Sequence, residues 1–237
     1  MNGVNNIKRN NMEYNSFSYL YPPRPEYKIL PDDLSLYEGK GWAAQPKYNG
    51  DCLIVFTNGI ESYVYNRRKE VYSKQTNIDF RQLHYGEIPP TKLNTWFVYV
   101  GEFINPKKKI GEHGIIEPPK FVIFDILVYA GLYLVGETFW TRLALLEEIF
   151  PTNRMQVTSD GSIVSYKHLS FTNLEGIYRA PTYLGNFVSL YEEVSKVDLY
   201  EGLVMKKTDA KLLPGYSEKN NDLWQFKCRK STKIYNF

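Results

Sequence analysis

Short apolar runs bounded by turn residues recur along the chain. Cys52-Leu53-Ile54-Val55-Phe56 is continuous and apolar, which predicts a buried strand at 52–57. The same reading predicts strands at 60–66, 96–104, 121–129 and 131–136, and again at 202–207 and 223–229. Thr57-Asn58-Gly59 joins the first two as a hairpin turn, and Tyr129-Ala130-Gly131 is a weaker signal of the same kind. Two segments carry the helical period. Residues 141–150 set Leu143, Leu146 and Ile149 or Phe150 at that spacing and stop at Pro151. Residues 186–196 open on Asn186, a good N-cap, and gather Phe187, Leu190, Tyr191 and Val194 on one face. Pro31-Asp32-Asp33-Leu34 opens a short helical turn. There is no internal repeat and no regular βαβ alternation. Many strands with helices inserted late predict an α+β domain with largely antiparallel sheets.

The ends and loops differ in composition from these elements. Residues 1–24 are Asn-rich and then Tyr/Pro-rich, which predicts a flexible N-terminal arm packing late onto a domain at 25–237. Lys107-Lys108-Lys109, with Gly111 and Gly114, reads as a solvated charged loop. The chain has 237 residues, enough for one large domain or two small ones, and 43% hydrophobic residues exclude a disordered chain. A net charge of +3 is compatible with a polyanionic partner without arguing for one. The 20 tyrosines and 13 phenylalanines suit strands, and exposed ones can stack on bases.

Composition also excludes several chemistries. Cys52 and Cys228 are the two cysteines, and with His84, His113 and His168 they show no zinc spacing. Two free thiols in apolar runs fit a reducing cytoplasm. The longest apolar candidate for a membrane span, 121–134, contains Asp125, and the N-terminus lacks the apolar segment of a secretion signal. Neither G-x-G-x-x-G nor G-x-x-x-x-G-K-[ST] occurs, so a Rossmann or P-loop nucleotide site is not supported.

The chemistry-bearing residues fall in ordered strings. Lys47 stands in Gln45-Pro46-Lys47-Tyr48-Asn49-Gly50, next to the first core strand, where an ammonium is costly without a partner. Arg67 and Arg68 close the second strand, and Glu102 interrupts the next at Val100-Gly101-Glu102-Phe103. Phe124-Asp125-Ile126-Leu127 follows, then Glu201-Gly202-Leu203-Val204-Met205-Lys206, then Lys227-Cys228-Arg229-Lys230. Taken singly, each has an ordinary explanation as an edge charge, a core aromatic or a solvated face. In this order they resemble the nucleotidyltransferase motifs of ATP-dependent polynucleotide ligases and mRNA-capping enzymes, which run K-x-D-G, arginine, G-E, F-D-x-L, E-G-L-V-x-K and K-x-K. The resemblance covers residues 45–230.

It implies a ligase-type nucleotidyltransferase (ATP-grasp-like) domain and a three-step reaction. Lys47 attacks the α-phosphorus of ATP, AMP passes to a 5′-phosphate end, and a 3′-hydroxyl displaces AMP. Gln45 would read the adenine amino group and Phe124 would face the purine. Arg67, Glu102, Glu201, Lys206, Lys227 and Arg229 complete the implied nucleotide site, with Glu102 and Glu201 as carboxylates for Mg²⁺ or Mn²⁺. A lysine nucleophile must shed its proton, which nearby cations and partial burial favour; Lys206, Lys227 and Arg229 would supply that field. Arg67, Arg68 and Lys230 would contact nucleic acid. DNA nick joining is the first expectation, RNA joining the second, capping guanylyl transfer the third; a module that only binds nucleic-acid ends is the non-enzymatic alternative. The expected setting is a cytoplasmic monomer, in a host cytoplasm if the source is a phage.

The strings also depart from the family pattern. Asn49 replaces the usual aspartate, Cys52 stands where DNA ligases and capping enzymes usually carry arginine, and Arg229 replaces the second lysine of the last motif. Because the chain reaches Phe237 soon after that motif, no OB-fold domain is expected. Alternation puts Lys227 and Arg229 on one strand face. It gives Glu201 and Lys206 opposite parity, so Glu201 is expected at the strand entrance, freed by Gly202.

Overall fold

A computed structural model describes residues 21–84, 95–105, 118–151, 155–157, 163–217 and 221–231. Residues 1–20 of the expected arm, the lysine run at 107–109 with its glycines, and His113 lie outside the described residues. The strands are β1 (Tyr27–Lys28), β2 (Trp42–Tyr48), β3 (Asp51–Thr57), β4 (Ser62–Asn66), β5 (Phe97–Ile104), β6 (Lys120–Tyr129), β7 (Leu132–Tyr133), β8 (Met155–Val157), β9 (Ile163–Ser165), β10 (Ser170–Phe171), β11 (Ile177–Arg179), β12 (Tyr200–Lys207) and β13 (Gln225–Arg229). The helices are α1 (Phe139–Ile149) and α2 (Phe187–Ser195), with 3₁₀ turns at Pro31–Tyr37 and Phe80–Leu83.

Two sheets carry the site. The smaller has the order β1-β13-β12-β2, and the larger β10-β11-β6-β5-β3-β4 with β7 beside β6. Only the β1–β13 and β11–β6 pairs are parallel among these described strands, so the largely antiparallel α+β architecture expected from the pattern is observed. The core of the larger sheet is built from Leu53, Val55, Tyr99, Phe121, Ile126 and Leu146 with their neighbours. A second core packs Ala44, Leu203 and Met205 of the smaller sheet against Phe187, Leu190 and Val194 of α2. Each fully buried aliphatic or aromatic side chain contributes about 1.5–3 kcal/mol to holding these layers.

The pattern located most elements, with instructive differences. Trp42–Tyr48 forms a strand that the periodicity did not predict, because Pro46 breaks the apolar run. β2 lies at the edge of its sheet, where a residue without an N–H is tolerated. The segment 131–136 pairs only at Leu132 and Tyr133. Helix α1 begins earlier than expected: the Thr138 hydroxyl accepts from the Thr141 N–H at 3.1 Å, and Phe139, Arg142, Leu146 and Ile149 form the buried face. Helix α2 starts after Asn186 as expected, but its cap is supplied from elsewhere. The Glu38 carboxylate accepts from the N–H groups of Asn186 at 3.0 Å and Phe187 at 2.6 Å. Among the described residues no helix is long and apolar enough to cross a membrane.

Candidate active site

The chain crosses from the smaller sheet to the larger at Asn49-Gly50, between β2 and β3. The crossing is tight. A Cβ at Gly50 would lie 2.3 Å from the Phe103 carbonyl oxygen and 2.9 Å from Glu102 Cγ, so only glycine fits the step after Lys47. The Gly50 N–H donates to Glu102 Oε1 at 3.0 Å, which ties the motif to β5. Between the two sheets lies a cavity of about 570 Å³, within the usual ~300–1,000 Å³ of small-molecule sites.

Eight cationic side chains and four carboxylates line this cavity, so its excess of positive charge favours an anion. Lys47 Nζ donates to Glu201 Oε2 at 2.6 Å, and Arg229 Nη2 approaches the same oxygen at 3.3 Å. Both sit on the smaller sheet: Lys47 and Arg229 are each opposite Gly202, on the strands flanking β12. Lys227 shares the face of Arg229, as the alternation predicts, while Cys228 is buried and Phe226 stacks on Trp42 with centroids 4.8 Å apart. Lys227 Nζ donates to the Pro25 carbonyl at 3.1 Å. Burial, partly offset by Glu26 and reinforced by Arg229, Arg24 and Lys47, holds its ammonium below the ordinary lysine value.

Glu201 reaches this face through a bulge. Tyr200 pairs with Tyr48 and Gly202 with Lys47, so Glu201 is an extra residue on β12. The bulge shifts the parity, and Glu201, Val204 and Lys206 all line the cavity. Gly202 permits it: its φ is +130°, and a Cβ there would meet the Cys228 carbonyl oxygen at 2.0 Å. The expectation that Gly202 frees Glu201 at the strand entrance is therefore met by a specific backbone device.

At the other end of the cavity, Lys206 is almost fully buried. Its Nζ donates to the Phe124 carbonyl at 3.2 Å and lies over the rings of Phe124 at 5.0 Å and Phe139 at 4.7 Å. Burial, with a further push from Arg142, brings its pKa down to about 8, although Asp125 pulls upward. Asp125 itself forms a buried bidentate pair with Arg142, with bonds of 2.8 and 3.0 Å. Burial alone would raise the Asp125 carboxyl, but the Arg142 charge and hydrogen bonds outweigh it and hold it low. Gln45 is buried on β2; its Nε2 donates to Thr182 Oγ1 at 3.0 Å, and its Oε1 has no hydrogen-bond partner among the described residues. Cys52 also lines the cavity, and burial, with Glu102 adding to it, pushes its thiol up to about 12.

The cavity thus gathers Gln45, Lys47, Arg67, Arg68, Glu102, Phe124, Glu201, Lys206, Lys227 and Arg229. Lys230 is not part of it: its ammonium donates to the Val197 carbonyl at 3.0 Å. Sequence reasoning missed three contributors. Thr182 orients Gln45, and no local signal marks it. Arg142 fixes Asp125, and a charge on the apolar face of a predicted helix was the available sign. Arg24 lines the cavity from the end of the expected arm, where Pro22 and Pro23 are buried.

This fold recurs in solved ligase structures. The mycobacterial DNA ligase D complexed with ATP and MES matches with a TM-score of 0.55 and 16% identity, over 90% of this chain and 61% of that one. The ligase domain from M. tuberculosis LigD matches with a TM-score of 0.51 and 16% identity, over 82% of this chain and 55% of that one. The chain spans less than two thirds of the length of either. No family model and no curated protein matches the sequence. The likeness shows the ligase-domain fold, in agreement with the fold class expected from the ordered motifs.

Proposed function

We propose that residues 25–237 form the adenylation domain of an ATP-dependent polynucleotide ligase, with nicked duplex DNA as its first substrate. One observation carries the reading: Lys47 Nζ lies 2.6 Å from the Glu201 carboxylate in an anion-favouring cavity that also holds Lys206, Lys227 and Arg229. In the first step a bond forms between Lys47 Nζ and the α-phosphorus of ATP as the bond to the bridging oxygen breaks. Pyrophosphate leaves with the electron pair; of the two protons that the Lys47 ammonium sheds on becoming the phosphoramidate, one passes to Glu201, to which it donates, and the other to the departing pyrophosphate. In the second step a 5′-phosphate oxygen displaces Lys47 from the adenylyl phosphorus. In the third a 3′-hydroxyl displaces AMP and the backbone is sealed. The cations neutralise charge that develops on phosphate oxygens, and the cavity holds them in place beforehand.

The nucleotide orientation follows from donors and acceptors. Among the described residues Gln45 Oε1 is an acceptor buried without a partner, suited to the adenine amino group rather than to a guanine carbonyl. Phe124 offers its ring to the purine. Mg²⁺ fits the donors present, because it takes one or two carboxylates and completes its shell with phosphates and water. Glu102 and Glu201 are the residues that would hold it, and when bound it neutralises phosphate charge. Arg67 and Arg68, exposed at the cavity edge after β4, suit the 5′-phosphate of the strand to be joined.

Incubation with α-labelled ATP and Mg²⁺ should label the protein covalently, and Lys47→Ala should abolish the label. A folded wild-type protein that takes no label from any nucleotide overturns the reading; labelling by GTP alone redirects it to capping. Sealing of a nicked DNA duplex, compared with a nicked RNA–DNA hybrid and single-stranded RNA, identifies the strand joined.

A further inference from the structure

One segment lining the cavity takes no part in the steps above. Residues 21–26 run between two anchor points. At one end the Tyr21 N–H donates to the Gly215 carbonyl at 2.9 Å, and a Cβ at Gly215 would lie 2.3 Å from the Tyr21 oxygen. At the other end β1 pairs with β13, and the Ile29 N–H donates to the Lys227 carbonyl at 3.1 Å. Between them Pro22, Pro23 and Pro25 fix the backbone φ, which leaves little freedom to the residue they enclose. That residue is Arg24, which lines the cavity. The Lys69 ammonium, 4.3 Å from the Tyr21 ring centre, ties the same segment to the turn that carries Arg67 and Arg68.

The strand order gives Arg24 a direction relative to Lys47. The smaller sheet runs β2, β12, β13, β1 outward from Lys47, and residues 21–26 lead into β1. Neighbouring strands stand about 4.8 Å apart. Phosphoryl transfer sets nucleophile and leaving group in line on opposite sides of phosphorus. In-line attack leaves the outer phosphates farther from Lys47 than the α-phosphorus, and Arg24 is a cation of the same cavity that enters beyond Arg229 and Lys227 in the strand order. Lys227 already meets this segment, donating to the carbonyl of Pro25, the residue after Arg24. Arg24 is held meanwhile by Glu26, Nε to Oε1 at 2.8 Å, with both side chains about one-third exposed. A phosphate offers the guanidinium a bidentate partner.

We infer that Arg24 binds the outer phosphates of the nucleoside triphosphate, the part that leaves as pyrophosphate, with Glu26 as its resting counter-ion. This rests on the proposed transfer to Lys47, but it can be tested without that chemistry. Inorganic pyrophosphate is titrated into the wild-type chain and into R24Q, R24K and E26Q, with thermal melts to confirm the fold. The expected result is about tenfold weaker pyrophosphate binding in R24Q, a smaller loss in R24K, and tighter binding in E26Q. Equal affinity in wild type and R24Q, or no pyrophosphate binding by the wild type, overturns the inference whether or not the protein labels. In the labelling reaction, R24Q should raise the KM for ATP and the pyrophosphate concentration that strips the label. Transfer of AMP from pre-labelled protein to a 5′-phosphorylated nick should keep its rate. Equal loss in all three steps would show that Arg24 acts only on the fold, and would also overturn the inference.

Discussion

Replacing Lys206 by methionine separates the cost of a buried charge from its use. The side chain is almost fully buried, with two aromatic rings within 5.0 Å of its ammonium and the Phe124 carbonyl as its acceptor. Burial first, and Arg142 after it, bring the pKa to about 8 against an ordinary 10.5. Between those two values the unfolded chain holds the proton and the folded chain does not. Stability contributed by this residue therefore rises with pH across that window. At 1.36 kcal/mol for each pH unit, the gap corresponds to about 3 kcal/mol. Below pH 8 the folded protein carries the full cost; above 10.5 it carries none. Methionine keeps the apolar stem and removes the charge, so Lys206→Met should lose this rise. Loss of the hydrogen bond to Phe124 costs about 1 kcal/mol at every pH, so the slope decides and the offset does not. Urea unfolding followed by tryptophan fluorescence from pH 7 to 10.5 should show the stability advantage of the variant shrinking by about 3 kcal/mol as pH rises. Parallel curves would refute the reasoning. The same variant should lose labelling by ATP, because the charge kept at this cost is proposed to hold phosphate.

Three further outcomes follow from the site's construction. Gly202→Ala forces a side chain into a positive-φ position 2.0 Å from the Cys228 carbonyl; a loss of about 3 kcal/mol or more in urea unfolding is expected, and an unchanged midpoint would contradict the bulge. Arg142→Met leaves the Asp125 carboxylate buried without its bidentate partner and should cost about 3–5 kcal/mol; adding Asp125→Leu should restore most of it, and additive losses in the pair would refute the coupling. Gln45→Leu removes the buried acceptor offered to the adenine amino group, and competition labelling should show about tenfold less preference for ATP over GTP; an unchanged preference would assign base selection elsewhere.

The legible part of this fold was the part encoded locally. Core strands such as β3 and β6 announce themselves as apolar runs, and α2 by its period and by Asn186. What stayed hidden depends on partners distant in sequence. β2 reads as a broken run because Pro46 interrupts it, and only its place at a sheet edge explains the tolerance. Asn186 is the cap residue, yet the bonds that satisfy the helix start come from Glu38, 148 positions away. Arg142 looks misplaced on a helix until Asp125 of β6 is set against it. Arg24 looks like part of a loose arm until its prolines are seen packed at the cavity.

The candidate site itself turns on a similar non-local device. Strict alternation along β12 puts Glu201 and Lys206 on opposite faces, and the two cannot then serve one ligand. One extra residue in the ladder reverses the parity before Gly202, so the carboxylate that meets Lys47 and the ammonium beside Phe124 face the same cavity. The bulge requires a residue at φ +130° packed against β13, which only glycine supplies. Gly50 has the matching role on the other side of Lys47, where the chain passes between sheets against Phe103. Lys47 is thus fixed between two positions that exclude a Cβ, one on its own turn and one on the neighbouring strand. Substituting either glycine should displace the lysine from Glu201 as well as weaken the fold, which is why these glycines belong to the chemistry as much as to the backbone.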